Sequence, residues 1–183
     1  MEGPVIQRFQ SGFEAGVKAG AEDLGKEISV NVQYAASYDA PDRGKAIAAS
    51  MYKEGADIIY QAAGSTGAGV FQEAKARNEN DYSQKVWGIG VDRDQADEGD
   101  YHMENGKTGN FTLTSTKKNV GAAVTEIAGA AYDNKFPGGE HLEFGLKEDG
   151  VNLTKGQLSK EAYQAVTTAK KQIISGEITV PEK

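Results

Sequence analysis

Apolar and polar residues alternate in two rhythms along this chain, and the switches between them mark its elements. Ile6, Phe9, Phe13 and Val17 lie three and four apart, the spacing of an amphipathic helix, with Pro4 at its first turn and Gly16, Gly20 and Gly25 loosening its end. Residues 28–34, ISVNVQY, alternate strictly and predict a strand. Ser37-Tyr38-Asp39-Ala40-Pro41 is a loop leading to a helix through Ile47, Ala48 and Met51, which Gly55 stops.

The stretch 56–92 reads as a whole crossover unit around which the rest is organised. Two short apolar runs, 57–62 and 86–91, suit strands buried on both faces. Between them Val70, Phe71 and Ala74 recur at helical spacing, entered through the turn Gly64-Ser65-Thr66-Gly67-Ala68-Gly69. Residues 78–85 read as a polar surface loop. A right-handed crossover of this kind puts both strand exits at one sheet edge, where open α/β sheets bind ligands. Gly64 and Asp92 should therefore face one crevice.

Past Asp92 the segment 93–107 is acidic and turn-rich, and 111–114 predicts a brief strand stopping at Ser115. Val120, Ala123, Val124, Ile127 and Ala131 form the apolar face of a helix ended by Phe136-Pro137-Gly138-Gly139. Residues 141–146 alternate as a strand, 147–154 read as a polar loop, and 159–175 as a long helix capped by Gly176, leaving a short extended tail. Strands alternating with helices predict an α/β fold with a mainly parallel sheet. A lobe of this kind opens with a strand, and Met1-Glu2-Gly3 reads as the exit turn of one that is missing.

Composition narrows the function. Twenty basic against 27 acidic side chains, a net charge of −7, argue against a general nucleic-acid binder. With no cysteine and only His102 and His141, thiolate chemistry is excluded and a His-based metal site is not expected. No cofactor is implied. Gly64, Gly67 and Gly69 fit neither the dinucleotide fingerprint nor the P-loop, and no His or Cys stands near Ser65 as a nucleophile's partner. The chain does not read as an enzyme.

Five segments, MEGPVIQRFQSGFEAGVKAG, GADIIYQAAGSTGAGVFQEAK, WGIGVDRDQ, LTSTKKNVGAAV and FGLKEDGVNL, resemble in sequence and order the basic membrane protein (BMP) family, the purine-nucleoside-binding lipoproteins of bacterial ABC importers. The resemblance implies a type I periplasmic-binding-protein-like lobe, with its first strand and the N-terminal lobe missing. Residues 1–115 would be the C-terminal ligand-binding lobe, 116–140 a segment crossing to the missing lobe, and 141–183 the return strand, final helix and tail. It also implies a ligand site. Phe9 matches the aromatic that stacks on the base, Gly64 the glycine whose backbone approaches the ligand, Asp92 the acid that takes the ribose hydroxyls, and Lys118 the site lysine. On residue pattern alone Phe9 also fits a core residue beside Phe13, Gly64 an ordinary strand exit, Asp92 a cap, and Lys118 a solvated residue at a helix start.

The resemblance implies as partners a purine nucleoside (guanosine, inosine or adenosine) and an ABC permease, in an extracytoplasmic, membrane-anchored receptor. This chain carries no recognisable leader or anchor. The apolar face from Val120 to Ala131 would be bare without the second lobe and is expected to drive self-association. Two alternatives share the fold: the effector-sensing domain of a transcription regulator, and a receptor for a sugar-like solute.

Overall fold

The computed structural model describes residues 2–80 and 84–181. Helix α1 (Pro4–Leu24) carries Pro in its first turn and ends at Gly25 in the left-handed conformation (φ 60°); Gly16 and Gly20 lie within it and do not loosen it. Helix α2 (Pro41–Lys53) follows the loop, then β1 (Ile58–Tyr60), a tight 3-10 turn (Gly64–Thr66), α3 (Gly67–Asn80) and β2 (Trp87–Gly90). Strands β1 and β2 are parallel, pairing Ile58 with Trp87 and Tyr60 with Ile89, so the crossover unit stands as its apolar runs predict.

A short hairpin, β3 (Asp100–His102) and β4 (Thr108–Asn110), occupies the acidic stretch expected to be turns alone. Strand β5 (Thr112–Lys118) joins β2 in parallel, and β6 (Val151–Leu153) closes the edge antiparallel to β5, giving the order β1-β2-β5-β6. Helix α4 (Val120–Tyr132) separates those two strands, and α5 (Lys160–Ser175) ends the fold between a Ser159 N-cap and Gly176.

The core lies under β1, β2 and β5. Ala48 and Tyr52 of α2, Val70, Phe71 and Ala74 of α3, and Ile59, Val86, Tyr101 and Phe111 form one buried cluster. Phe111 is wholly inaccessible and meets the Phe71 ring edge-on at 5.4 Å; burial of such a ring is worth about 1.5–3 kcal/mol. Helices α2 and α3 approach closely because α3 presents Gly69 there. A Cβ at Gly69 would stand 1.8 Å from the Pro41 carbonyl oxygen, so no other residue fits without the helices separating.

Five further expectations need correction. Residues 28–34 run without turn or bend but join no sheet, since no strand lies beside them to supply hydrogen bonds. Strand β5 does not stop at Ser115 but continues to Lys118, because β6 pairs with its second half. The return strand is β6, inside the predicted polar loop, and 141–146 forms no strand: alternation marks a surface that could pair, and a partner decides whether it does. Helix α4 ends at Tyr132, before Phe136. Lastly, 78–80 belong to α3, and Asn78 is buried: its amide donates to the Ala74 and Val86 carbonyls and its carbonyl oxygen accepts from the Val86 N–H. This side chain ties helix to strand, a role that polarity hides. Residues 81–83 of that predicted loop lie outside the described residues.

Candidate functional site

Three strand exits meet at the carboxyl edge of the sheet. Strand β2 leads through Val91 to Asp92, which adopts a left-handed backbone (φ 69°), a conformation that Asp tolerates better than most side chains. Strand β5 ends on Lys118, whose backbone N–H donates to the Asp92 carbonyl at 3.0 Å and whose Nζ stands 2.7 Å from Asp92 Oδ1. Both side chains are about half exposed (47% and 53%). An ion pair so open to water is worth no more than about 1 kcal/mol, so a ligand can take over the carboxylate at little cost.

The aromatic side of the site comes from α1 and β1. The Phe9 ring lies 5.4 Å from Lys118 Nζ and 6.5 Å from the Tyr60 ring, which also meets Phe13 at 5.2 Å. Phe9 therefore sits between core and crevice, with its partly exposed ring beside the charged pair. Tyr60 was not anticipated. Its hydroxyl shares a 3.1 Å hydrogen bond with Thr116 Oγ1. Burial pushes its phenol above the usual range, an effect that the hydrogen bond to Thr116 opposes and the Asp92 charge reinforces.

Gly64 occupies the exit of β1, on the 3-10 turn, with φ 58°. A Cβ there would lie 3.2 Å from the Tyr38 carbonyl oxygen, so the turn needs glycine both for its backbone and for the passing loop. The structure thus brings Phe9 and Asp92 together around Lys118, which pairs with the carboxylate and stands 5.4 Å from the ring. Gly64 it places at the same edge, against Tyr38.

Below the rim, a buried amide that no sequence signal marks holds the strand exits together. Gln95 Oε1 accepts from Gln61 Nε2 (2.8 Å) and from the Val91 N–H (2.9 Å), Gln95 N–H donates to Ser115 Oγ, and its carbonyl accepts from Thr112 Oγ1. Its own amide nitrogen donates to Glu98, which pairs with Arg93 at 2.6 Å. Gln95 thus holds the exits of β1 and β2 through its side chain and β5 through its backbone. Among the described residues, no group of three or more His, Cys, Asp or Glu is placed to hold a metal, and no helix is long and apolar enough to cross a membrane.

The parallel α/β lobe carries an aromatic, a carboxylate and an ammonium on its carboxyl rim, and its sequence places it in a family of solute-binding proteins. The chain is a member of the Bmp family, described as ABC transporter substrate-binding protein, PnrA-like, whose pattern matches residues 1–183. Its relatives include the ABC transporter nucleoside-binding protein BmpA of Lactococcus lactis subsp. cremoris, 47% identical over 100% of this chain and 51% of the relative. The CD4+ T-cell-stimulating antigen of Listeria monocytogenes is 46% identical over the same shares of each. Among solved structures, a solute-binding protein of an ABC transporter system from Aeropyrum pernix K1 superposes with a TM-score of 0.81 at 25% identity, over 100% of this chain and 56% of that one. The chain spans about half the length of the curated relatives it matches.

Proposed function

We propose that this chain forms the C-terminal lobe of the substrate-binding component of an ABC importer, and that it closes with a second lobe over a purine nucleoside. The convergence of Phe9, Asp92 and Lys118 on one rim carries this reading. A flat ring suits a nucleobase face, at roughly 1–3 kcal/mol per stacked base. A carboxylate has acceptor sites for two vicinal hydroxyls at once, and an analogue without them leaves its charge unpaired. Lys118 meanwhile keeps a donor free for a ring nitrogen or ribose oxygen. Family membership supports the same class, and the nucleoside-binding Lactococcus relative supports the ligand. The receptor works outside the cytoplasm, delivers to a membrane permease, and performs no chemistry on its ligand.

In this proposal residues 1–115 form the lobe proper, 116–140 cross to the second lobe, and 141–183 return and close the fold. Helix α4 then packs on the second lobe. Its Val120 and Val124 are about 60% exposed and no residue of it is buried.

The test is a chimera in which this chain replaces the matching half of the Lactococcus relative. Isothermal titration of guanosine, inosine and adenosine is expected to show binding by the chimera and loss or severe weakening with this chain alone. A folded chimera that ignores all three would overturn the nucleoside reading.

A further inference from the structure

The turn that carries Asp92 is tighter than a left-handed residue alone requires. Across it the Arg93 N–H donates to the Val91 carbonyl at 2.8 Å. A hydrogen bond between residues two apart, around a central φ of 69°, defines a classic γ-turn. That form is rare and strained, and a residue keeps it only where its surroundings over-determine it. No glycine stands at 91–93 to ease it. Three anchors hold it instead. The Val91 N–H donates to Gln95 Oε1 at 2.9 Å, the Asp92 carbonyl accepts from the Lys118 N–H, and the Arg93 guanidinium pairs with Glu98. Gln95 Nε2 donates to both carboxylate oxygens of Glu98 at 3.2 Å. One side chain therefore reaches the residue before Asp92 directly and the residue after it through Glu98.

The Gln95 amide can sit only one way. Its oxygen takes two donors, the Val91 N–H and Gln61 Nε2, which fill both lone pairs, while its nitrogen faces a carboxylate. Turned end for end, it would set donor against donor and oxygen against oxygen. Its backbone is pinned to β5 by Ser115 and Thr112, and β2 makes room for it, since a Cβ at Gly90 would stand 2.8 Å from Gln95 Oε1. Gln61 extends the arrangement to the exit of β1, where its Oε1 accepts from the Ala63 N–H beside Gly64. Gln95 and Gln61 are only 6% and 4% exposed. Apolar side chains of the same shape would fill that space without needing partners. What the amides add is direction, because a fully satisfied buried polar network specifies one geometry.

From this geometry we propose that Gln95 is a positioning residue for the ribose contact: through the Val91 N–H and the Glu98–Arg93 pair it holds Asp92 in the strained turn, so that the carboxylate is aimed before the ligand arrives. The inference rests on the nucleoside reading above and assigns that site a residue which touches no ligand. A carboxylate accepts two vicinal hydroxyls at once only from one orientation. A turn free to relax toward extended backbone would swing the Asp92 Cβ away, and binding would then have to re-form the strained conformer at the expense of affinity. In the network described, the fold bears that strain and the ligand does not. The same turn sets the approach of Lys118, whose N–H bonds to the apex carbonyl and whose Nζ stands 2.7 Å from Asp92 Oδ1.

The test titrates the chimera with its tightest-binding purine nucleoside and with the 2′,3′-dideoxy form, which has no vicinal hydroxyls for a displaced carboxylate to miss. Gln95→Met, close in size and without an amide, should weaken the nucleoside about tenfold and change the dideoxy form by less than about twofold. Added to Asp92→Ala, it should cause no further loss for the nucleoside. Should the acceptor lost to Val91 and Gln61 unfold that variant, Glu98→Ala decides in its place. The Glu98 side chain is 32% exposed, so its removal leaves the core closed while freeing Gln95 Nε2 and Arg93. The same selective loss is expected there, at least about threefold. Equal losses for both ligands, or no loss for either, would overturn the proposal and leave the nucleoside reading standing. A chimera that binds no nucleoside before any substitution would overturn both.

Discussion

Asp92 does two jobs with one residue: its left-handed backbone turns the chain out of β2, and its side chain meets Lys118 on the rim. These jobs separate by substitution. Asp92→Asn keeps a residue that accepts positive φ, so the fold should stand while the charge is lost. In the chimera, Asp92→Ala is expected to weaken nucleoside binding about 10- to 100-fold, from the roughly 1.5–3 kcal/mol of a hydrogen bond to a charged group. Titration calorimetry checks it. Gly64→Ala acts differently, through strain at φ 58° and the 3.2 Å approach to Tyr38. It should cost roughly 1–2 kcal/mol, a fall in melting temperature of about 2–8 °C by circular dichroism. The apolar runs announced both positions by ending where they do. Gln95 and Tyr60 could not be read this way. One stands in an acidic stretch that looks like solvated loop, and the other on a three-residue strand too short to show which face it turns inward.

At the scale of elements, whatever depends on local periodicity was readable and whatever depends on a partner was not. The helices and the parallel pair β1–β2 follow from spacing and Gly punctuation. Residues 28–34 and 141–146 alternate as well as any strand, yet neither is paired, whereas the less regular Val151–Leu153 is a strand because β5 lies beside it. Helix α4 is the same lesson in packing: its apolar stripe is real, and nothing in the described chain covers it. Sedimentation velocity at micromolar concentration is expected to show self-association of this chain, reversed by Val120→Lys with Val124→Lys. A clean monomer before substitution would contradict it. The α2–β2 contact yields a pH prediction. Tyr52 donates to the Trp87 carbonyl at 2.9 Å, and burial pushes its phenol well above the normal value of 10.0. A group whose folded pKa is raised contributes stability that is fully present below the unfolded pKa and lost as pH rises through the folded one. Urea denaturation should therefore show stability falling above about pH 10, and Tyr52→Phe should flatten that fall while lowering stability at neutral pH.

For the molecule as a whole, a solid half and an open half divide the work. The core under β1, β2 and β5 is sealed by Phe71, Phe111 and the close α2–α3 approach, and among the described residues no buried side-chain polar atom lacks a partner. The open half is α1, segment 28–34 and α4: Val5, Leu24, Val30, Val32, Val120 and Val124 are exposed, and among the described residues the backbone of 28–34 is unpaired. In the receptor proposed here, the solid half holds the rim residues in register while the open half meets the second lobe. The central claim is that Asp92 reads the ribose. A double-mutant cycle tests it most directly: the chimera and its Asp92→Ala variant, each titrated with the tightest-binding purine nucleoside and with the 2′,3′-dideoxy form of that nucleoside. Asp92→Ala should weaken the nucleoside at least about tenfold, the energy of one charged hydrogen bond, and leave the dideoxy form nearly unchanged. Equal losses for both ligands would mean that Asp92 shapes the rim without touching the sugar, and would contradict the account.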